Sequence, residues 1–253
     1  MIMAIGEWIG LSWPMLALAA LAIFAGALVQ GLSGLGLGLV AGPVLVAIDP
    51  RIGPGPLLAI AFLMSGIMVW REFGAIDRGG LALSLGGRAA GSAVAAVIYA
   101  WLTVTAYELI FGITILAAVV LSVVGLRIER TPWNLVSAGF TSGIMGTLTG
   151  AGSPTIALIY QRSDGPTVRA TLSAFFLASS AISLAVLLAV GKVGPRQWAF
   201  TAFSLPVMLL GLGLAGRLVK RLSNRNVRWF VLGLSGASAL LLIVRAVFRI
   251  AQG

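Results

Sequence analysis

Long apolar stretches alternate with short polar punctuation along the whole chain. The apolar runs cover 12–32, 38–48, 56–70, 81–102, 107–126, 134–147, 152–161, 167–190, 197–216 and 228–247. Several reach the ~20 residues a helix needs to cross a bilayer core. The runs 38–48 and 152–161 are too short for that, and each follows a dense glycine run. The first is Gly31-Leu32-Ser33-Gly34-Leu35-Gly36-Leu37-Gly38, then Gly42-Pro43. The second is Gly143-Ile144-Met145-Gly146-Thr147-Leu148-Thr149-Gly150, then Gly152-Ser153-Pro154.

The two runs register on one another. Gly31, Gly34 and Gly38 map onto Gly143, Gly146 and Gly150 at an offset of 112, and the prolines follow at 111. The pattern predicts an all-α polytopic membrane protein of two homologous halves, residues 1–130 and 131–253. Each half reads as a helix, a glycine break ended by proline, a half-helix and three more helices. The repeat then drifts, with Gly74 answering Gly191 at 117 and Gly86 and Gly91 answering Gly211 and Gly216 at 125. Broken backbone at membrane depth persists only where it is buried or lines a cavity, and matched breaks in two halves mark transporter binding sites.

Charge decides how the chain passes each break. If each break lies within one crossing, the two sides carry eight Lys and Arg residues each. If the chain instead reverses there, eleven fall on the side of the basic loop 217–228. Five fall opposite: Arg51, Lys192, Arg196, Arg245 and Arg249. Basic residues near span ends favour the cytoplasm, so each break is expected to be the tip of a hairpin. Each half then has five segments, and an odd number inverts the second half relative to the first. Both termini face outward in this reading.

Composition narrows the function. Hydrophobic residues make up 59% of the chain and charged ones 9%, against about 25% charged in soluble domains. The net charge is +10, yet every Lys and Arg except Arg88 lies in or near a loop or chain end. That distribution speaks of topology and the lipid bilayer, not of nucleic acid. With no Cys and no His, thiolate chemistry, imidazole metal sites and histidine relays are excluded. No cofactor is implied, and an intramembrane enzyme lacks its usual groups. Residues 1–11 contain no Lys or Arg, so the first helix is expected to be retained. The carboxylates Glu7, Asp49, Glu72, Asp77, Glu108, Glu129 and Asp164 all sit near loops or helix ends, so no carboxylate proton relay is evident. The seven tryptophans fall near segment ends and read as an interfacial belt.

The breaks themselves supply candidate chemistry. Glycine lets backbone approach a ligand, and a helix starting after a break presents unpaired N–H groups and the positive end of its dipole. Together these bind an anion without a charged side chain. The candidate substrate-binding residues are Gln30, Ser33, Gly34, Gly36, Gly38 and Pro43 in the first half, with Ser65. In the second half they are Thr147, Thr149, Gly150, Gly152, Ser153 and Pro154. Arg88 joins them as the one basic residue well inside a span; it either attracts the anion or snorkels to the interface. Asn134 is expected to start a helix, Arg169 to anchor one, and Arg71 with Glu72 to form an interfacial pair.

At these glycine motifs the chain resembles the sulfite exporter TauE/SafE family. Gly31 to Pro43 and Gly143 to Pro154 carry the resemblance. So do Ala61-Phe62-Leu63-Met64, Ala174-Phe175-Phe176-Leu177 and the small-residue helix around Gly87 and Gly91. It extends over about Leu16 to Val247. Leu35 and Leu37, and Thr147-Leu148-Thr149, depart from a denser glycine pattern. The resemblance implies a secondary transporter that exports a small anion, sulfite or an organosulfonate, across a bacterial-type inner membrane by alternating access. Uptake, or facilitated passage of another small anion, is the alternative. A coupling ion and a homodimer fit the same pattern.

Overall fold

The computed structural model describes residues 9–33, 36–72, 76–125, 128–160, 163, 165–218 and 224–252. Among them the chain is helical throughout, in ten α-helices and one short 3-10 turn, without strands. They are α1 (Trp13–Ser33), α2 (Leu37–Ile48), α3 (Gly55–Glu72), α4 (Arg78–Trp101) and α5 (Val104–Val124). The second half holds α6 (Pro132–Thr149), α7 (Ser153–Tyr160), α8 (Gly165–Ala189), α9 (Pro195–Leu218) and α10 (Asn224–Ala251). Six of them, α1, α4, α5, α8, α9 and α10, are long and apolar enough to cross a membrane. Described tryptophans sit near helix ends, Trp70, Trp101 and Trp133 more than three-quarters exposed. The Arg71–Glu72 pair and the Arg169 anchor rest on side chains outside the described set.

The chain doubles back at both glycine runs. Gly26 on α1 faces Leu37 at the start of α2, and the Gln30 side-chain carbonyl accepts the Leu37 N–H at 3.0 Å. On α6, Ser142 Oγ donates to the Gly152 carbonyl at 2.6 Å, and Thr155 Oγ1 to Ala138 at 3.2 Å. Local chemistry makes the turns. Gly36, with φ 158°, precedes α2, where a side chain would strike Val29. Gly150, with φ 74°, caps α6 in the left-handed region and returns its N–H to Gly146 at 2.8 Å. Thr131 caps the other end of α6 by accepting the Asn134 N–H, so the helix begins just before Asn134.

The prolines do not end the breaks alike. Pro154 is the second residue of α7, where a missing N–H costs nothing. Pro43 is the seventh residue of α2, inside the helix, so the expected proline-terminated break is not found in the first half. Its ring frees the Leu39 carbonyl. Ser235 Oγ on α10 stands 2.7 Å from that carbonyl and supplies the donor.

Between the halves, like elements meet reciprocally. α4 packs on α6, and α9 packs on α1. α3 lies against α8, and α5 against α10. Side chains at Gly87, Gly91 and Gly139 would fall on the carbonyls of Val136, Phe140 and Ser84, so α4 and α6 touch backbone to backbone. The counterpart contacts set the register: Gly211 abuts Phe24, and Ala215 abuts Gly31. Gly87 therefore answers Gly211 and Gly91 answers Ala215. The expected pairing of Gly86 with Gly211 and Gly91 with Gly216 slips by one residue, and Gly86 and Gly216 have open space beside them. A loop-length difference between the halves shifts a register that glycine spacing alone cannot fix.

The helix ends collect into two clusters. One joins the Ile9 carbonyl, Asp49 and Arg196, with Arg51, Tyr99, Lys192 and Gln197 around a nearby concavity. Arg245 reaches Ala47, and Arg249 reaches Glu108, at this same end. The other joins Asp77, Arg130, Tyr160 and Thr171. α4 starts at the second cluster and finishes at the first; its 24 residues span about 36 Å at ~1.5 Å each. The described basic residues thus separate as the hairpin reading expects.

Candidate functional site

The two half-helices enter the bundle from opposite ends and stop midway. α2 starts beside Gly26 and Gln30 and finishes at the Arg196 cluster. α7 starts beside Ser142 and finishes at the Arg130 cluster. Their starts meet: a Cβ at Gly38 would fall on the carbonyl of Gly150, and one at Gly42 would lie 3.4 Å from the carbonyl of Thr149. Only glycine permits this approach. Both helices aim first-turn N–H groups and the positive ends of their dipoles at the same region.

A cavity of about 30 Å³ lies there, room for roughly one water. Gln30, Gly36, Gly38, Arg88, Gly150 and Gly152 line it, six of the residues expected from sequence. Ser179 and Ser180 add hydroxyls to its wall, and Gly146, Phe176, Leu58 and Ala61 complete it.

Arg88 is the electrostatic centre. It is 3% exposed and does not snorkel. One terminal nitrogen, Nη1, donates to Ser142 Oγ at 2.8 Å and to the Ser142 carbonyl. Nη2 donates to Ser183 Oγ at 2.8 Å, and Ser183 Oγ stands 2.7 Å from Thr147 Oγ1. Glycine makes room for the guanidinium, because a side chain at Gly146 or Gly152 would collide with Nη1. Among the described residues no carboxylate pairs with it. Nε has no partner, and Ser179 Oγ on the cavity wall has none either. A buried cation without a counter-charge and a buried hydroxyl without a partner are both costly unless something fills the gap. By the contact register above, Leu212 takes the place on α9 that Arg88 takes on α4.

The other candidates lie apart. Pro43 is buried in the body of α2. Ser65 on α3 is buried, its hydroxyl unpartnered, but it does not line the cavity. Thr149 Oγ1 donates to Met145 and accepts the Ala151 N–H, which shapes the turn. Thr147 touches the site only through Ser183. Pro154 opens α7. Gly34 and the side chains of Ser33 and Ser153 lie outside the described residues. Sequence reasoning missed Ser142, Ser179 and Ser183. Ser142 had a usable signal, since it stands 112 residues after Gln30; Gln30 accepts from the start of α2, whereas Ser142 donates to the Gly152 carbonyl just before α7.

Neither the search of curated proteins nor that of solved structures returns a match. The family model described as "Sulfite exporter TauE/SafE" matches residues 18–242, nearly the whole length. With its multi-pass helical build, the chain belongs to the sulfite exporter TauE/SafE family, whose members are membrane transporters and not enzymes.

Proposed function

We propose that the protein is a secondary transporter that exports a small anion, sulfite or an organosulfonate, from a bacterial-type cell across its inner membrane. The observation that carries this is Arg88, a buried guanidinium with no carboxylate beside it among the described residues, set against a cavity between two helix starts. Anions satisfy such a group, and first-turn N–H groups with the Ser179 hydroxyl supply further donors. Gln30 braces α2 through its carbonyl, which accepts the Leu37 N–H, and this leaves its side-chain NH2 as a donor at the cavity it lines. Residues 1–130 and 131–253 form two repeats, inverted relative to one another. The starts of α1 and α6 near opposite clusters support this, as do those of α4 and α9. The positive-inside rule puts the Arg130 cluster in the cytoplasm. A cavity of about 30 Å³ corresponds to a closed conformation. Substrate enters when the halves shift and open one side, then leaves when they open the other. Lipid surrounds the outer faces; a coupling ion would drive the cycle, and the exposed small-residue faces would allow a homodimer.

The test is thermal stability of purified protein against sulfite, short sulfonates, sulfate and thiosulfate. A ligand at 100 times its Kd adds about 2.7 kcal/mol, and roughly 2–4 °C in Tm per kcal/mol follows for a chain of this size. Selective stabilisation by a sulfur oxyanion, lost in Arg88→Gln, supports the reading. A flat panel, or a full response in Arg88→Gln, refutes it.

A further inference from the structure

Two polar clusters at opposite ends of the bundle occupy matching positions in the repeat. In the first, Arg196 Nη2 donates to Asp49 Oδ2 at 2.6 Å, and Arg196 Nε donates to the Ile9 carbonyl at 2.6 Å. Beside them Gln197 donates to the Arg51 carbonyl at 3.0 Å. In the second, the Tyr160 hydroxyl donates to Asp77 Oδ2 at 2.7 Å, and Arg130 pairs with the same oxygen at 2.5 Å. Arg130 also lies over the Tyr160 ring, 5.4 Å from its centre. The Asp77 N–H is held by Thr171 Oγ1 at 3.0 Å.

The correspondence is structural. Asp49 follows directly on α2, and Tyr160 ends α7, the two half-helices. Arg196 is in the first turn of α9, and Asp77 caps the start of α4, the fourth helices of the two halves. Each cluster thus ties the outer end of one repeat's half-helix to the start of the other repeat's fourth helix. The half-helices are the elements whose inner ends line the central cavity.

We propose that these clusters are the two gates of the transport cycle. The Asp49–Arg196 pair closes the path on one side, and the Tyr160–Asp77–Arg130 cluster closes it on the other. Opening on either side requires the half-helix to part from the fourth helix of the opposite repeat, which breaks only that side's cluster. Both are formed here, in keeping with a closed central cavity. Gly80 belongs to the second gate, because a Cβ there would collide with both the Asp77 carboxylate and the Tyr160 hydroxyl. The proposal rests on the transporter reading but not on the identity of the anion. Arg196, Asp49, Tyr160 and Asp77 act by position and do not touch the substrate.

Sided chemical labelling tests it. The chain has no cysteine, so Ser180→Cys on the cavity wall provides a single reporter thiol. A membrane-impermeant maleimide is added to right-side-out and to inverted vesicles. Loss of a charge-assisted bond shifts a two-state equilibrium roughly tenfold. Asp49→Asn is therefore expected to speed labelling about tenfold from the Arg196 side alone. Tyr160→Phe and Gly80→Ala are each expected to do so from the Arg130 side alone. The exchange Asp49→Arg with Arg196→Asp re-forms the pair and should restore slow labelling, which separates gating from misfolding. Acceleration from both sides by one variant, from the same side by all, or from neither side overturns the proposal. An unresponsive anion panel alongside sided labelling would fail the substrate assignment and leave the gates standing.

Discussion

Replacing Gly38 with alanine probes the contact on which the central site depends. The added Cβ would lie 2.5 Å from the Gly150 carbonyl carbon and 2.9 Å from the Ala151 nitrogen, where ordinary contact begins at 3.4 Å. The two breaks must then part by at least about 0.9 Å, the difference between 3.4 and 2.5 Å, because the Gly150 carbonyl oxygen lies nearer still. Both neighbours are backbone, so neither can swing aside as a flexible side chain would. Overpacking of this kind costs about 1–3 kcal/mol. The gain in helix propensity offsets ~1 kcal/mol of that, which leaves a net loss of about 0–2 kcal/mol. At roughly 2–4 °C per kcal/mol, Tm should fall by up to about 8 °C. Gly86→Ala on α4 is the control, because its Cβ meets nothing within 4 Å. Alanine there should stabilise by about 0.4–1 kcal/mol. Differential scanning fluorimetry reads both variants, with and without sulfite. Gly38→Ala should lose stability and most of the sulfite response; Gly86→Ala should keep both. If Gly38→Ala matched Gly86→Ala in Tm and in its response to sulfite, the close approach of the breaks would not be what builds the site.

Other substitutions separate binding from packing. Ser179→Ala removes a buried hydroxyl that has no partner in the closed site, so unliganded Tm should hold or rise while anion affinity falls about fivefold, for a lost bond of roughly 1 kcal/mol; titration calorimetry decides, and unchanged affinity would remove Ser179 from the site. Arg249→Met strands the fully buried carboxylate of Glu108, whose two oxygens both lie 3.0 Å from Nη1. Arg249 is partly exposed, so the expected loss is about 2 kcal/mol, below that of a fully buried pair. Sulfite affinity should not change, and the double variant with Glu108→Gln should recover most of the stability in denaturation by heat.

Most of the scaffold was legible because hydropathy reports lipid exposure directly. The run 38–48 became Leu37–Ile48, and 152–161 became Ser153–Tyr160. Ends moved where polar residues continue a helix. α4 begins at Arg78 rather than at 81, and α10 continues through Arg249, which Glu108 neutralises. The reversals at the breaks were legible from charge, and the glycines from their duplication. What could not be read was which face of α8 turns inward. Ser179 and Ser183 are small hydroxyls in an apolar helix, and only packing against α3 and α4 aims them at the cavity and at Arg88. Gly146 was visible as a glycine, but its purpose, space for a guanidinium from α4, exists only once α4 and α6 touch. The proline misreading has the same origin, since the donor that compensates Pro43 comes from Ser235, far away in the chain.

The contact of α3 with α8, and of α5 with α10, joins each element to its own equivalent. Identical subunits make contacts of that sort across a two-fold axis. On the repeat reading proposed above, the molecule is a dimer written as one polypeptide, joined between α5 and α6. Severed there and produced as two fragments, the chain should reassemble in the bilayer, because the seam that holds it together is carried by helix faces and not by the tether.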